Sequence, residues 1–597
     1  MIERCAYLYY LDDEDDTDEY DDSCGDEDDS DPDFIVARTR YKGRKSRASS
    51  SGLRRPILEP CPELVKMEHH FRSKYYGLNT FPSLPVDMAD WVLEDKDSSF
   101  MPSLTISPKF SVKSLSSENV GGEVRVLERF RGTLINDSLM MFCGGPVSAM
   151  AWCPMDLSDN RDQVIAVVAK LDINTTMQRE AGGGQALIQV WSVGGMRGRG
   201  GDPSFQFGIG HMYGSVRGLE WSPSGGKLNG RMGLLAAACG DGSVRLWAIP
   251  SLDSVREEGR IFQREADQTL SCGEGEKVGL CLAVSWYRGP GHNHIAACFS
   301  SGLVSIWDLS TTSLLLREGS TILPQQTWLA HSGSVTSVSL CPGEEEHPKY
   351  LVTGGSDRSY RFWDLRNTTV PIQEMKRGLV TGVRWIPDWS GASVCFDDVY
   401  LQGHTQTILT EAGLHSTRTI PIIAQNSSVL DLDMSHWVGT LASSTAAGEL
   451  IVFVVPTLDR SMENDKNLGQ RRSFVYRTDV DKDCEEELDL RVYEQMKEVC
   501  SLSFKDMPIK LDGLKDFPTK EIRRVRMAQK MGKEDLTNYP MSSITKVAWN
   551  NNIGYQFWLA SGGQSGLVRF HYVAALNSNK VKQVVKGVME DTVVKNN

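Results

Sequence analysis

Four strand-like segments of this chain end in tryptophan at nearly regular intervals. These endings are Trp191, Trp247, Trp307 and Trp363, separated by 56, 60 and 56 residues. A second series of tryptophans lies within the same periods, each at the end of a shorter segment with alternating apolar residues. Its members are Trp152, Trp221, Trp286, Trp385 and Trp549. Short strands repeated at such intervals are typical of a β-propeller, in which small sheets surround an axis.

Two endings continue as Trp-Asp-Leu, at 307–309 and 363–365, which is typical of WD repeats. We therefore predict an all-β fold, a seven-bladed WD-repeat β-propeller with a disordered N-terminal tail. The five clearest blades begin with Val147–Trp152, Val216–Trp221, Leu282–Trp286, Val335–Leu340 and Ile544–Trp549. Weaker patterns at 382–396 and 429–454 predict blades five and six.

The last blade lacks a good fourth strand after Val573. The alternating segment Glu123–Gly132 is predicted to supply it, so that both chain ends join the ring. Such a closure leaves no open sheet edges between the first and last blades.

Charge is concentrated near the N-terminus. Residues 12–33 hold 15 Asp or Glu and no Lys or Arg, so the net charge of −14 becomes +1 without them. Residues 38–55 hold eight Arg or Lys. Segments so rich in charge and poor in apolar residues cannot bury enough surface to become ordered. The rest of the chain is near neutral.

These patterns divide the chain into four parts. The predicted parts are a disordered acidic and then basic tail at 1–60, an extended docking segment at 61–120, the propeller at 121–575 with an insertion at about 457–540, and a C-terminal tail at 576–597.

Several classes of protein are disfavoured. The 13 cysteines contain no Cys-x-x-Cys pair, which favours reduced thiols in the cytosol or nucleus. No apolar run approaches the roughly 18 residues that a membrane helix needs. His292 and His294 lack a nearby Cys or carboxylate cluster, so no metal is predicted. Because no nucleophile with its base and no phosphate-binding loop is visible, we predict no enzyme, cofactor or small-molecule substrate.

One repeat carries a complete set of polar residues at the WD-repeat positions. His331, Thr353, Asp357 and Trp363 are predicted to form a buried hydrogen-bonded tetrad. A catalytic His/Asp dyad is the alternative, which the spacing disfavours. Blade two keeps His211, Asp241 and Trp247 but has Ala237 in place of the threonine.

A basic run could act in nuclear import or as a minor-groove arm, and its residues are Arg38, Arg40, Lys42, Arg44, Lys45 and Arg47. A solvated charged tail is the alternative.

A second basic set, with helical spacing, could contact a partner or phosphates, and its residues are Arg523, Arg524, Arg526 and Lys530. An ordinary surface helix of the insertion is the alternative. The ending Trp363-Asp364-Leu365-Arg366 resembles the Trp-Asp-x-Arg motif of substrate receptors on cullin-type ubiquitin ligases.

Several longer runs are more specific than a generic WD signature. These runs are Arg231–Arg245, Val383–Pro387, Arg523–Arg526 and Trp558–Arg569. Together they resemble the polypeptide 2 family of general transcription factor IIIC, a WD-repeat subunit, and the resemblance covers roughly 140–573.

This resemblance implies a nuclear, non-enzymatic scaffold. In that family the propeller lies beside the largest subunit and a second propeller subunit, in the subcomplex that binds the B box of transfer-RNA-type genes. The factor then helps to recruit initiation factor IIIB and RNA polymerase III. The expected partners are therefore the other factor IIIC subunits, with promoter DNA bound mainly through the complex. The alternatives are a cullin-ligase substrate receptor that uses Arg366, or a chromatin reader that grips a histone tail with an aromatic cage.

Overall fold

The computed structural model describes residues 61–76, 84–94, 99–113, 123–135, 138–155, 162–172, 183–196, 201–228, 230–255, 259–273, 278–386, 391–397, 407–411, 419–423, 427–455, 472–482, 500–507 and 540–596. All of them lie in one compact unit, Arg54–Asn597. The predicted tail at 1–60 lies outside these ranges.

The described strands form seven sheets, which we number in chain order. Sheet 1 contains Val147–Trp152, Val164–Ala169, Ala186–Ser192 and Ser204–His211. Sheet 2 contains Val216–Trp221, Arg231–Cys239, Val244–Pro250 and Gln268–Leu270. Sheet 3 contains Cys281–Trp286, His294–Phe299, Leu303–Asp308 and Gln326–Leu329.

The later sheets repeat this antiparallel order. Sheet 4 contains Val335–Leu340, Tyr350–Gly355, Ser359–Asp364 and Gln373–Lys376. Sheet 5 contains Val380–Trp385, Gly391–Phe396, Thr407–Glu411 and Thr419–Ile423. Sheet 6 contains Val429–Ser435, Thr440–Thr445, Glu449–Val454 and Arg472–Lys482. Sheet 7 contains Ile544–Trp549, Trp558–Gly563, Leu567–Tyr572 and Ser138–Phe142.

Four sheets carry further strands at their outer edges. Sheet 1 adds Arg260–Gln263 and Val92–Leu93, and sheet 2 adds Thr321–Ile322 and Arg317–Glu318. Sheet 6 adds Cys500–Asp506 and Lys109–Lys113, and sheet 7 adds Gly132–Ile135. Short 3₁₀ turns lie at Met88–Asp90, Leu252–Ser254, Pro290–His292 and Ala574–Leu576.

Two predictions about strands were wrong. The fourth strand of sheet 7 is Ser138–Phe142, which pairs with Leu567–Tyr572, and not Glu123–Gly132. Ser138–Phe142 is buried at every position, whereas Val124 and Val126 are exposed, so only the later segment fits between packed sheets. The segment predicted as an insertion at about 457–540 contributes two strands to sheet 6.

Two helices replace segments that were predicted to lack regular structure. Helix α1, Pro62–Tyr75, forms part of the segment predicted to be extended. It has Pro62 at its start and basic residues in its last turn, both of which favour a helix. Helix α2, Asn579–Asn596, takes up most of the predicted C-terminal tail. Its buried Val581, Val585 and Val588 recur at helical spacing, in the same core cluster as Val65 of α1.

The first strands of the seven sheets align as hexapeptides. In order, they read VSAMAW, VRGLEW, CLAVSW, VTSVSL, VTGVRW, VLDLDM and ITKVAW. In every sheet the register to the second strand shifts between the first and third residues. A β-bulge at the second residue is therefore common to all seven and frees that side chain from the ladder.

The freed side chains bond neighbouring sheets together. Second-position hydroxyls donate to the first-position carbonyl of the next sheet, from Ser148 to Val216 at 2.9 Å, Thr336 to Val380 at 2.6 Å, Thr381 to Val429 at 2.7 Å and Thr545 to Val147 at 2.8 Å. The last of these joins sheet 7 to sheet 1. Contacts link every first strand to the next and sheet 7 back to sheet 1.

Fifth-position side chains add a second set of bonds. They accept the backbone N–H of the sixth residue in the following sheet, as Glu220 does from Trp286, Ser285 from Leu340, Ser339 from Trp385 and Asp433 from Trp549. Sixth-position indoles of Trp152 and Trp221 donate back to the fifth-position carbonyl of the preceding sheet. The order of the sheets therefore depends on specific polar contacts as well as on apolar packing.

Replacing Thr545 tests these hydrogen bonds between neighbouring sheets. Thr545→Val removes the hydroxyl that bonds the Val147 carbonyl but keeps the branched shape, so we expect it to lower the free energy of unfolding by about 1 kcal/mol. Urea unfolding followed by tryptophan fluorescence gives the value. Thr545→Ser, which keeps the hydroxyl, is the control; equal stability of the two variants would contradict the role of this bond.

Candidate functional site

Charged side chains of several sheets converge along the first strands. Arg384 Nε lies 3.6 Å from Asp433 Oδ1, and Lys546 Nζ lies 3.6 Å from Asp431 Oδ1. Glu220 accepts the N–H of Trp286 at 2.8 Å. Burial raises the pKa of Glu220 to about 7, although this hydrogen bond acts in the opposite direction. Paired charges therefore lie between the first strands of sheets 5, 6 and 7, whereas Glu220 pairs with a backbone N–H.

Helix α1 anchors itself through a buried carboxylate. The side chain of Glu68 is only 6 % exposed, and its Oε1 accepts from Arg72 Nε at 2.6 Å and from Arg288 Nη2. Arg288 Nε also donates to the Tyr76 hydroxyl at 2.9 Å. Burial by itself would raise the pKa of Glu68, but the charges of Arg288 and Arg72 lower it to about 2.

The contacts of α1 reach four sheets. Besides Arg288 of sheet 3, Lys74 lies 3.5 Å from Glu344 of sheet 4, and Arg72 lies over the ring of Trp437 and donates to the Asn551 carbonyl at 3.3 Å. All four contacted segments connect the first and second strands of their sheets, so they lie at the same end of the array. Helix α1 therefore covers that end of the axis.

The tetrad residues predicted in sheet 4 lie together. His331 Nε2 is 2.8 Å from Thr353 Oγ1, which accepts the indole N–H of Trp363 at 2.9 Å. His331 Nδ1 is 2.9 Å from Asp357 Oδ1. Because a carboxylate only accepts, Nδ1–H of His331 donates to Asp357, and Nε2 of the neutral ring then accepts the hydroxyl proton of Thr353. His331 and Thr353 are buried, whereas Asp357 is partly exposed, and burial lowers the pKa of His331.

In sheets 1 and 2 the corresponding polar groups have other partners, among them Gln189, which was not predicted. In sheet 1 the indole of Trp191 donates to Gln189 Oε1 at 3.1 Å, and Gln189 Nε2 donates to the Cys143 carbonyl. Gln189 lies two residues before the tryptophan on the same strand face, and this spacing could have indicated it. In sheet 2, Asp241 pairs with Arg245 at 2.7 Å instead of with His211.

A buried arginine joins sheets 6 and 7. Arg569 Nη2 lies 2.6 Å from Asp506 Oδ1 and 2.8 Å from Ser138 Oγ, and its guanidinium lies 4.6 Å from the ring centroid of Tyr476. Asp506 belongs to the segment predicted as an insertion, so sequence spacing gave no signal for this pair.

The remaining candidates from the sequence are the two basic sets and Arg366. The import or DNA-contact set (Arg38, Arg40, Lys42, Arg44, Lys45, Arg47) and the partner-contact set (Arg523, Arg524, Arg526, Lys530) lie outside the described residues. Arg366 is exposed, but its guanidinium is bound to Asp364 at 2.6 Å.

The two histidines considered for metal binding have different neighbours. His292 is buried, with its ring centroid 4.6 Å from that of Tyr76, whereas His294 Nε2 lies 3.1 Å from His347 Nδ1. Within the described ranges no group of three or more His, Cys, Asp or Glu is placed to hold a metal. None of the helices in those ranges is long and apolar enough to cross a membrane.

An aromatic cage for a histone tail stays a hypothesis. The exposed large apolar residues of the described part of the chain are Leu, Val, Ile and Met, whereas aromatic residues such as Tyr75 and Tyr76 of α1 are half-buried.

Removing the Thr353 hydroxyl should show what the tetrad contributes. Thr353→Val leaves His331 and the Trp363 indole without their shared partner, so we expect a loss of about 2–3 kcal/mol in the free energy of unfolding. Thr353→Ser is the matched control in urea unfolding. A valine variant as stable as the serine variant would show that these bonds add nothing.

The stabilising effect of Glu68, which holds α1 in place, is expected to depend on pH. The pKa of Glu68 is lowered from 4.5 to about 2, so its stabilising effect is complete above about pH 4.5 and is lost as the pH falls toward 2. We expect Glu68→Gln to lower stability by about 3 kcal/mol at pH 7, because Arg288 loses its partner, and by less at pH 3.

Hydrogen exchange of the α1 amides at both pH values measures this effect. Glu63→Gln, at an exposed position of the same helix, is the control. An effect of Glu68→Gln that stays constant with pH would contradict the ionised anchor.

Comparisons with known proteins agree with the repeats and the resemblance. A family model described as "WD domain, G-beta repeat" matches residues 203–248 and 323–364, which hold most of the four-stranded parts of sheets 2 and 4. The chain is 28 % identical over 92 % of its length to general transcription factor 3C polypeptide 2 of Homo sapiens, and the Pongo abelii protein of that name matches to the same extent.

A fungal relative extends the comparison. Transcription factor tau subunit sfc6 of Schizosaccharomyces pombe is 23 % identical over 72 % of the chain and is covered over 64 % of its own length. The chain spans 66 % of the length of the human relative. These relatives confirm the resemblance indicated by the sequence runs.

Proposed function

We propose that this chain is a non-enzymatic scaffold subunit of a general transcription factor IIIC complex in the nucleus. The observation that carries the proposal is the similarity to polypeptide 2 of general transcription factor 3C over 92 % of the chain. The scaffold role is further supported by the polar clusters described above, because their side chains form hydrogen bonds and ion pairs that hold parts of the fold together.

The proposed platform is a closed, seven-bladed propeller whose blades are the seven sheets. Its support is the ladder of hydroxyl–carbonyl bonds, which includes the bond from Thr545 of sheet 7 to Val147 of sheet 1. An early and a late strand of the described chain meet in sheet 7, where Ser138–Phe142 pairs with Leu567–Tyr572.

Protein partners are the proposed ligands of this platform. They are the largest factor IIIC subunit and the second propeller subunit, and with them the chain would support recognition of the B box and transcription of transfer-RNA-type genes by RNA polymerase III. Because α1 covers one end of the axis, partners would use the rims and the opposite end. Promoter DNA is bound mainly through the complex, in keeping with the near-neutral charge of residues outside 12–33.

Direct DNA binding should therefore be weak. We expect the full chain to bind duplex DNA without sequence preference, with an affinity that falls steeply as salt rises. Neutralising the basic run Arg38, Arg40, Lys42, Arg44, Lys45 and Arg47 with glutamine should remove most of that binding in a fluorescence anisotropy titration.

The control removes equal charge from exposed positions elsewhere, at Lys66, Arg366, Lys376, Lys580, Lys582 and Lys586. Tight binding selective for the B box by the chain alone, or equal losses in both variants, would contradict the proposal.

Purification of the tagged chain from nuclear extract tests the assignment itself. We expect the other factor IIIC subunits to be recovered with the chain, and Arg366→Ala to leave that recovery unchanged. Recovery of a cullin adaptor that is lost in Arg366→Ala would instead support a ubiquitin-ligase receptor and overturn the proposal.

A further inference from the structure

Sheets 2 and 4 share a set of polar positions but differ at one of them. Ala237 of sheet 2 lies opposite Arg245 in the strand register, and Thr353 of sheet 4 lies opposite Arg361. In both sheets a tryptophan of the repeat series follows the arginine two residues later. Ala237 therefore stands where sheet 4 places the hydroxyl of its tetrad, and it has no hydroxyl to offer.

That hydroxyl serves two nitrogen atoms in sheet 4. Thr353 Oγ1 lies 2.8 Å from His331 Nε2 and 2.9 Å from Trp363 Nε1. The corresponding atoms of sheet 2 are His211 Nε2 and Trp247 Nε1, and neither has a hydrogen-bond partner among the described residues. His211 is 2 % exposed and Trp247 is 0 % exposed. A buried polar group without a partner costs about 1–3 kcal/mol, so this pair of atoms calls for a ligand.

The proton of His211 lies on the nitrogen that lacks a partner. Nδ1 accepts the backbone N–H of Tyr213 at 3.3 Å. Burial lowers the pKa of His211 to about 3, so the ring is neutral at pH 7 and has a single N–H. Because Nδ1 accepts, Nε2 carries that proton. The ring of His331 has the opposite tautomer, since its Nδ1–H donates to Asp357.

Both nitrogens of sheet 2 are therefore donors. An indole N–H never accepts, so Trp247 and His211 cannot satisfy one another, although their ring centroids are only 5.3 Å apart. The nearest carboxylate of the set is already bound elsewhere, because Asp241 accepts from Arg245 at 2.7 Å and from the Ser243 hydroxyl at 2.6 Å. The ligand that fits is one atom that accepts two hydrogen bonds.

The size and charge of the site favour a water molecule. Threonine exceeds alanine by one oxygen and one carbon atom, so Ala237 leaves the space of about one small molecule beside the two nitrogens. Ala237 and Trp247 belong to an apolar core cluster, in which an ion would lose its hydration at high cost. A neutral oxygen with two lone pairs meets both requirements.

We propose that sheet 2 holds one buried water molecule, whose oxygen accepts the Nε2–H of His211 and the Nε1–H of Trp247 in place of the missing threonine hydroxyl. His211 ends the strand Ser204–His211 of sheet 1, whereas Trp247 lies in the third strand of sheet 2. The water molecule therefore joins two neighbouring sheets.

Two substitutions of similar shape test this site in the full chain. Ala237→Thr displaces the water molecule but supplies its own oxygen, so both donors keep an acceptor. Ala237→Val displaces it and supplies none. We expect the folding equilibrium constant of the valine variant, measured by urea unfolding, to be about 5- to 30-fold below that of the threonine variant. Equal losses of stability in the two variants would show that the site is dry and would overturn the proposal.

A crystal structure of the full chain tests the site without reference to stability. We expect density for one oxygen atom within about 3.2 Å of both His211 Nε2 and Trp247 Nε1, and its loss in Ala237→Thr. Nitrogen NMR of the histidine-labelled chain should place the proton of His211 on Nε2 and that of His331 on Nδ1. A site without density, a proton on Nδ1 of His211, or a bromide ion at the site in crystals grown with bromide would each overturn the proposal.

Discussion

The order of the sheets depends on hydrogen bonds that cross from one first strand to the next. Each first strand carries a bulge at its second residue, which releases a side chain that, as serine or threonine, reaches the neighbouring sheet's backbone. Fifth-position side chains bind the next sheet in the opposite sense, as acceptors. Apolar packing between sheets is not directional, whereas these bonds fix the height and rotation of each sheet against the next.

Charges at the axis follow from the same geometry. Third- and fifth-position side chains face the neighbouring first strand, so a charged residue there is drawn into a partly buried site and needs a partner. Asp433 meets Arg384, and Asp431 meets Lys546. At one end, Glu68 of α1 extends this pairing to Arg288 of sheet 3. A helix outside the repeats thereby contacts four sheets, through the buried carboxylate of Glu68 and through Arg72 and Lys74.

The outer edges of the sheets obey a different constraint. Open strand edges invite pairing, and the chain covers several of them with its own parallel or antiparallel strands or places charges and proline on them. The sheet 3 edge, Gln326–Leu329, carries neither a charge nor a proline. Inner polar bonds thus order the sheets, whereas several of the outer edges are covered by backbone of the same chain.

The sequence by itself determined the repeat and most of the strands of the seven sheets, because tryptophan endings and alternating apolar residues record local burial with a fixed period. It also brought out the His331–Thr353–Asp357–Trp363 set, whose members keep their spacing within one repeat. Only the tertiary structure decided that Ser138–Phe142 completes sheet 7, that Asp506 meets Arg569 and that α1 lies across one end of the axis. Those contacts join residues far apart in the chain, and no local period records a partner that folding brings from a distance.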